Sequence, residues 1–235
     1  MIYYCSETCQ NMASTEYQVQ WTTAMAEKML LFNKFQDYCD EFSPPLNFPL
    51  LIAKLFAKAL KEVRLFGTLN TFVPLKNLAH VAIKPSMIPG VWKSEYEHFG
   101  RNIVIDPVNL AYFNLEWYTW MQSILAVNCF AINVGNCGRR EPGGSDVICG
   151  GAGMSSTEGT GLFLSASKFN HSCDPNTAVS FPYNAELHAT ALRDIRENEE
   201  ITISYIDLDW PFAQRQTFLY SKYGFWCTCA RCKKP

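Results

Sequence analysis

Three thiols within six residues close the chain: Cys227, Cys229 and Cys232 in "FWCTCARCKKP". This C-x-C-x2-C run constrains the fold more than any other segment. Three thiolates so close in sequence can converge on one small cation, and zinc takes thiolates at tetrahedral positions. Reduced, unligated thiols at a chain end are the competing reading, and exposed free thiols are a chemical liability. The spacing therefore predicts a zinc site with three ligands in hand. A structural site needs a fourth, supplied by a distant part of the chain. Arg231, Lys233 and Lys234 would offset part of the thiolate charge.

A second dense segment is "FNHSCDPN", residues 169–176. Taken alone it has three readings: a metal half-site, part of a nucleophilic site, or a tight turn closed by Asp-Pro-Asn. "CSETC" at the start spaces Cys5 and Cys9 as C-x3-C, half a metal site with no later partner at ligand distance. The first residues lack a basic n-region and an apolar h-region, so a secretory signal is not expected. Ten cysteines are then read as buried thiols or ligands in a reducing compartment, nuclear or cytoplasmic, and not as disulfides. The longest apolar stretch, "FPLLIAKLFAKAL", is short and broken by lysines, which argues against a membrane span. A net charge of −2 offers no general attraction to nucleic acid.

Residues 20–125 read as mostly helical. Met25, Met29, Phe32 and Phe35 recur at helical spacing. "NFPLLIAKLFAKALKEV" offers Asn47 as N-cap, Pro49 in the first turn, and Leu51, Leu55 and Ala59 on one face. "EWYTWMQSILAVN" repeats the pattern, and its aromatic residues are read as core. Nine of the 13 glycines then fall between Gly135 and Gly161, which predicts a surface loop over 135–161. Short strands are expected in "GLFLSAS", "TAVSF", "ELHATAL" and "ITISYI", with Ile201, Ile203 and Tyr205 on one face. A last helix is expected over "PFAQRQTFLYSKYG", with Pro211 near its start and Gly224 near its end.

Together and in this order, "FNHSCDPN", "ALRDIRENEEITISY" and "YGFWCTCARC" resemble the SET-domain protein lysine methyltransferases, in particular the SMYD-like branch and its fungal relatives. The likeness is strong over 162–232 and looser over 116–134. It implies an α+β chain: a β-rich SET-like fold with a pseudoknot and a post-SET zinc knot, plus a largely helical insert. The expected divisions are a MYND-like remnant over 1–19, a helical insert over 20–115, a SET core over 116–223 and a zinc-binding segment over 224–235. The resemblance makes Cys173 the fourth zinc ligand beside Cys227, Cys229 and Cys232. It assigns Asn128, Asn170, His171, Tyr205 and Phe225 to S-adenosylmethionine, with Tyr205 also catalytic. Tyr183 and Tyr223 are candidates to line a lysine channel. The implied partner is a protein, histone or otherwise, that presents a target lysine.

Several departures from the family pattern are visible, among them a MYND-like finger whose later His and Cys are missing after "CSETCQ". No Gly-Arg-Gly-type loop precedes Cys5, so the chain is expected to begin in mid-domain. Asn198 stands where the family often has glycine, and asparagine tolerates a left-handed turn. The missing Gly-Arg-Gly-type loop and the degenerate finger together motivate a second reading, a non-catalytic interaction module. A zinc hydrolase built on His171 and Cys173 is disfavoured, because a four-thiolate site leaves no position for water.

Overall fold

A computed structural model of the chain describes residues 7–13, 26–42, 47–68, 70–104, 112–135, 156–182 and 186–234. These form two compact units, Met1–Ala126 and Val127–Pro235. Cys5 and Tyr183 lie outside the described residues, as do the centre of the glycine-rich stretch and Met25.

The first unit is helical, as the apolar periodicity requires. Its helices are α1 (Glu7–Ala13), α2 (Ala26–Asp40), α3 (Asn47–Phe66), α4 (Gly90–Asn102) and the first part of α5 (Leu115–Asn128). Short 3-10 turns at Pro74–Asn77 and Pro85–Met87 each begin with a proline, which costs nothing at a helix start. The core is aromatic. Phe56 meets Phe113 at 4.7 Å and Phe99 at 5.5 Å between ring centres, both edge-on. Phe35, Phe99 and Tyr118 are fully buried. The expected face of α3 is displaced. Ile52, Phe56 and Ala59, with Ala53 and Ala57, are buried, whereas Leu51 and Leu55 are only half-buried. The alanines let neighbouring chain approach closely, and Phe56 fills the gap between two rings, so packing decides among apolar faces of similar hydropathy.

This core holds a carboxyl group. Glu95 is buried, its Oε2 accepting from Gln122 Nε2 at 2.5 Å and from the Tyr118 hydroxyl at 3.3 Å. Burial outweighs both bonds and pushes its pKa up to about 7. The folded unit therefore holds a proton that the unfolded chain has released. Its stabilising effect is complete below the ordinary carboxyl range and is lost as pH rises towards 7. Glu95→Gln keeps an acceptor oxygen and removes the charge. It is expected to raise the melting temperature at about pH 8 and to leave it nearly unchanged at about pH 4. Thermal scans at both values check this.

The second unit carries the strands: β1 (Cys129–Gly135), β2 (Ser156–Leu162), β3 (Asn170–His171), β4 (Thr177–Ser180), β5 (His188–Ala191) and β6 (Thr202–Ile203). They pair two by two: β1 with β2 and β4 with β5 antiparallel, β3 with β6 parallel. Two strand expectations change. Residues 156–161 belong to β2 and not to a loop, and the strand ends at Leu162, so "GLFLSAS" turns away after its first two residues. Gly161 explains why glycine is used inside this strand. A Cβ there would lie 2.7 Å from the Phe163 ring and 2.8 Å from Ile132 Cδ1. In "ITISYI" only Thr202 and Ile203 are strand; Ile203 is buried and Ile201 is 40 % exposed, so they do not share a buried face.

The final helix, α6 (Phe212–Tyr223), starts after Pro211 and ends at Gly224 in a left-handed cap with φ 78°. Asn198 adopts φ 61°, the turn conformation expected of it. A last turn, α7 (Ala230–Lys233), closes the tail. No helix among the described residues is long and apolar enough to cross a membrane.

Candidate functional site

The "FNHSCDPN" segment is held by its own polar side chains. Asn176 is buried, and every part of its amide is used. Nδ2 donates to Glu200 O at 2.8 Å and Glu199 Oε1 at 3.2 Å, and Oδ1 accepts from Thr202 N–H at 2.9 Å. The Ser172 hydroxyl accepts from Asp174 N–H at 3.0 Å, and Ser172 N–H donates to Ile203 O at 2.9 Å. The Asp-Pro-Asn turn is thus locked to the chain around β6, and Cys173 is left pointing into the core at 1 % exposure.

There Cys173 meets the tail. The sulfurs of Cys173, Cys227, Cys229 and Cys232 all lie within 4.8 Å of one another, and Cys173 to Cys227 is 3.9 Å. A tetrahedral cation with bonds of about 2.3 Å requires sulfurs about 3.8 Å apart; a disulfide requires about 2.05 Å. The spacing fits a metal. Burial pushes the Cys173 thiol up to about 12 and moves Cys227 in the same direction. For Cys229 burial also acts upwards, but hydrogen bonds led by the Cys232 backbone N–H outweigh it and bring the thiol to about 6. A cation binding all four must therefore displace protons.

Two residues of α6 that the sequence reading missed complete this centre. Arg215 is buried against Cys173 and Cys232, and its Nη1 donates to Trp210 O at 2.6 Å. Burial opposes its charge, but the two sulfurs more than compensate, so its pKa rises. Gln216 clamps the tail from both sides, its Nε2 donating to Cys227 O and its Oε1 accepting from Cys227 N–H, each at 2.9 Å. Arg215 and Gln216 flank Leu219 on the buried face of the helix, a placement that the sequence pattern alone does not distinguish from a solvated polar pair. Of the expected cationic tail residues, Arg231 acts structurally, donating to Cys173 O at 3.2 Å and Leu208 O at 2.9 Å.

A group of rings stands beside the thiols. Tyr205 lies 4.9 Å from Tyr223 and 5.3 Å from His171; Phe225 lies 6.0 Å from His171 and 6.4 Å from Tyr223. The Tyr205 hydroxyl donates to Phe169 O. Burial first, then Tyr223 and Glu200, push Tyr205 up to about 12. Burial, helped by the charge of Arg215, brings His171 down to about 4, so its ring is neutral near pH 7. Asn128 and Asn170 stand apart from the ring contacts. Asn128 is buried at the end of α5, its carbonyl accepting from the Ser167 hydroxyl at 2.9 Å. Asn170 is exposed and donates to Glu200 Oε1 at 2.6 Å. A cleft of about 610 Å³ opens nearby, lined by Phe130, Asn133, Val179, Phe181, Ile203 and Ser204 among others.

A family model for the SET domain matches residues 10–206, most of the chain. The chain belongs to the SET-domain family. Its SET domain is of the SMYD-like type, as its relatives show. A SET and MYND domain-containing protein of Dictyostelium discoideum is 30 % identical over 97 % of this chain and 63 % of its own length. The histone-lysine N-methyltransferase ATXR4 of Arabidopsis thaliana is 27 % identical over 98 % of this chain and 66 % of its own length. The protein-lysine N-trimethyltransferase SMYD5 of Danio rerio is 49 % identical over 32 % of this chain and 19 % of its own length. The chain thus spans less than two thirds of the length of these relatives. The SET domain mixes α-helix and β-strand, and a four-cysteine cluster joins its Cys173 to three cysteines near the C-terminus.

Proposed function

We propose that this SET domain transfers a methyl group from S-adenosylmethionine to the side-chain nitrogen of a protein lysine, and that its four cysteines hold a structural zinc ion. The observation that carries the reading is the joining of Tyr205, Tyr223, His171 and Phe225 into one ring-lined wall against the thiol cluster. Cys173 ties "FNHSCDPN" to the post-SET tail, the connection a SET pseudoknot requires.

The ring group suits the cofactor. Its sulfonium is cationic; it is favoured by aromatic faces and carbonyl oxygens, and His171 is neutral there. When bound, the cofactor supplies an electrophilic methyl. The chain's part is to hold, orient and desolvate. His171, Phe225, Asn170 and Asn128 are assigned to the cofactor. Tyr205 and Tyr223 wall the lysine path, where desolvation favours the neutral amine that can attack. The Tyr205 hydroxyl orients that nitrogen and meets the charge that develops. At a pKa of about 12 it stays protonated, so it is not the base that removes the lysine proton. The 610 Å³ cleft is assigned to the residues flanking the target lysine. Among the relatives, ATXR4 is named for histone lysine and SMYD5 for protein lysine; for this chain the substrate class is a lysine-bearing protein.

In the zinc site Arg215 balances the thiolates and no coordination position is left for water, so zinc here supports structure and takes no part in methyl transfer. The test of function is transfer of labelled methyl from S-adenosylmethionine to histones and to whole-cell protein, with the product located by mass spectrometry. Label on lysine is the expected result. No incorporation into either substrate set by a folded, zinc-containing chain would favour the non-catalytic module.

A further inference from the structure

His171 makes two side-chain hydrogen bonds in opposite directions. The backbone N–H of Tyr205 donates to its Nδ1 at 3.0 Å. Its Nε2 lies 3.3 Å from Cys173 Sγ. The first contact fixes the tautomer. A nitrogen that accepts from N–H carries no proton, so the single ring proton of a neutral histidine sits on Nε2. That proton points at the Cys173 sulfur, which as a metal-bound thiolate is a good acceptor. The imidazole spans the gap between the four-sulfur cluster and the residue whose hydroxyl donates to Phe169 O. Residue 171 is held in turn by its parallel pairing with Ile203.

We infer that His171 is a positioning residue: through its side chain it ties the thiolate knot to the Tyr205 backbone and so sets where the Tyr205 hydroxyl stands. Only the predicted effect on rate rests on the methyltransferase reading. The inference gives the metal knot a second task. Besides closing the tail, the knot fixes the reacting end of the site, because moving Cys173 moves the imidazole and with it the Tyr205 amide. A ring acting only as packing would have no preferred tautomer and no directional partners.

Two substitutions separate the two bonds. His171→Asn can place an amide oxygen near the present Nδ1, keeping the acceptor for Tyr205 but losing reach to the sulfur. His171→Gln can place its amide nitrogen near the present Nε2, keeping the donor to sulfur but losing the acceptor. The zinc-loaded full chain is examined first by long-range proton–nitrogen NMR, with His171 assigned among the four histidines by its loss in either variant. The expected result is a neutral ring protonated at Nε2. In His171→Gln, amide exchange at Tyr205 should speed up about tenfold or more, and kcat should fall about 10–100-fold with KM for the peptide little changed. In His171→Asn, Tyr205 exchange should stay near the parental rate, while zinc is held about tenfold less tightly. A proton on Nδ1, or equal shifts of both readouts in both variants, would overturn the inference. The tautomer is read in the unsubstituted chain, so a variant that fails to fold does not block the decision. If the parent chain transfers no methyl, that failure falls on the methyltransferase reading alone. Exchange and zinc retention need no turnover and still decide the positioning role.

Discussion

Tyr205→Phe is expected to lower the methyl-transfer rate by about 10²–10³-fold, the scale of loss when one preorganised polar group facing a developing charge is removed; here the hydroxyl oxygen faces the positive charge that grows on the lysine nitrogen. The hydroxyl stands in a wall shared with Tyr223, His171 and Phe225. It donates to Phe169 O, and the Tyr205 ring centre lies 4.9 Å from that of Tyr223. Phenylalanine keeps the ring and its packing, so zinc content and melting temperature should change little; one hydrogen bond contributes about 0.5–1.5 kcal/mol. The pH profile makes the role specific. Burial holds the Tyr205 hydroxyl in its protonated form, and His171 Nδ1 accepts a backbone N–H and so carries no proton; neither group is expected to change charge around neutrality. The rate should therefore climb steadily above pH 7 as more substrate lysine, ordinarily near about 10.4, loses its proton. The variant should keep that slope at a lower level. Equal rates for both proteins would remove Tyr205 from the mechanism, and a steep break near neutrality would show that another titrating group is used.

Stripping zinc is expected to melt the C-terminal part of the second unit. Cys173, Cys227 and Cys232 are themselves core residues, packed with Leu219 and against Tyr205, Tyr223 and Phe225. A structural zinc contributes an apparent ~10–16 kcal/mol of binding free energy in small zinc domains, as much as the whole stability of an ordinary domain, about 5–15 kcal/mol. Without an ion the four thiols and the buried cation Arg215 are left to pack on their own. Treatment with a chelator, or Cys173→Ser, should release about one equivalent of zinc, abolish slow amide exchange from Gly224 to Cys232, and expose the ring wall. Because burial pushes the Cys173 thiol up, zinc must compete with protons; retention should weaken as pH falls. A melting curve unchanged by the chelator would contradict the structural role.

Legibility followed the range of each interaction. The tail cysteines were readable because their ligand spacing is local, and Asn198 because a left-handed turn is a property of one residue. Cys173 as their companion lies 54 residues from Cys227; the family likeness suggested the pairing and the geometry brings the sulfurs together. Arg215 and Gln216 escaped notice because a polar pair on a helix is ordinarily solvated, and only the fold of the tail makes it buried. The glycines of β2 were read as loop because glycine is a turn signal in isolation. Here one of them makes room for Ile132 and Phe163. The α3 face was missed by one position, since Leu51, Ile52, Leu55 and Phe56 are all apolar and only shape distinguishes them.

The central claim is that the ring-lined wall holds S-adenosylmethionine. The most direct measurement is calorimetric titration of the zinc-loaded chain with that cofactor, repeated with Phe225→Ala. Binding at one site with micromolar affinity, about 8 kcal/mol, weakened in the variant, is the predicted result. A folded, zinc-containing chain that releases no heat and binds no cofactor would contradict it.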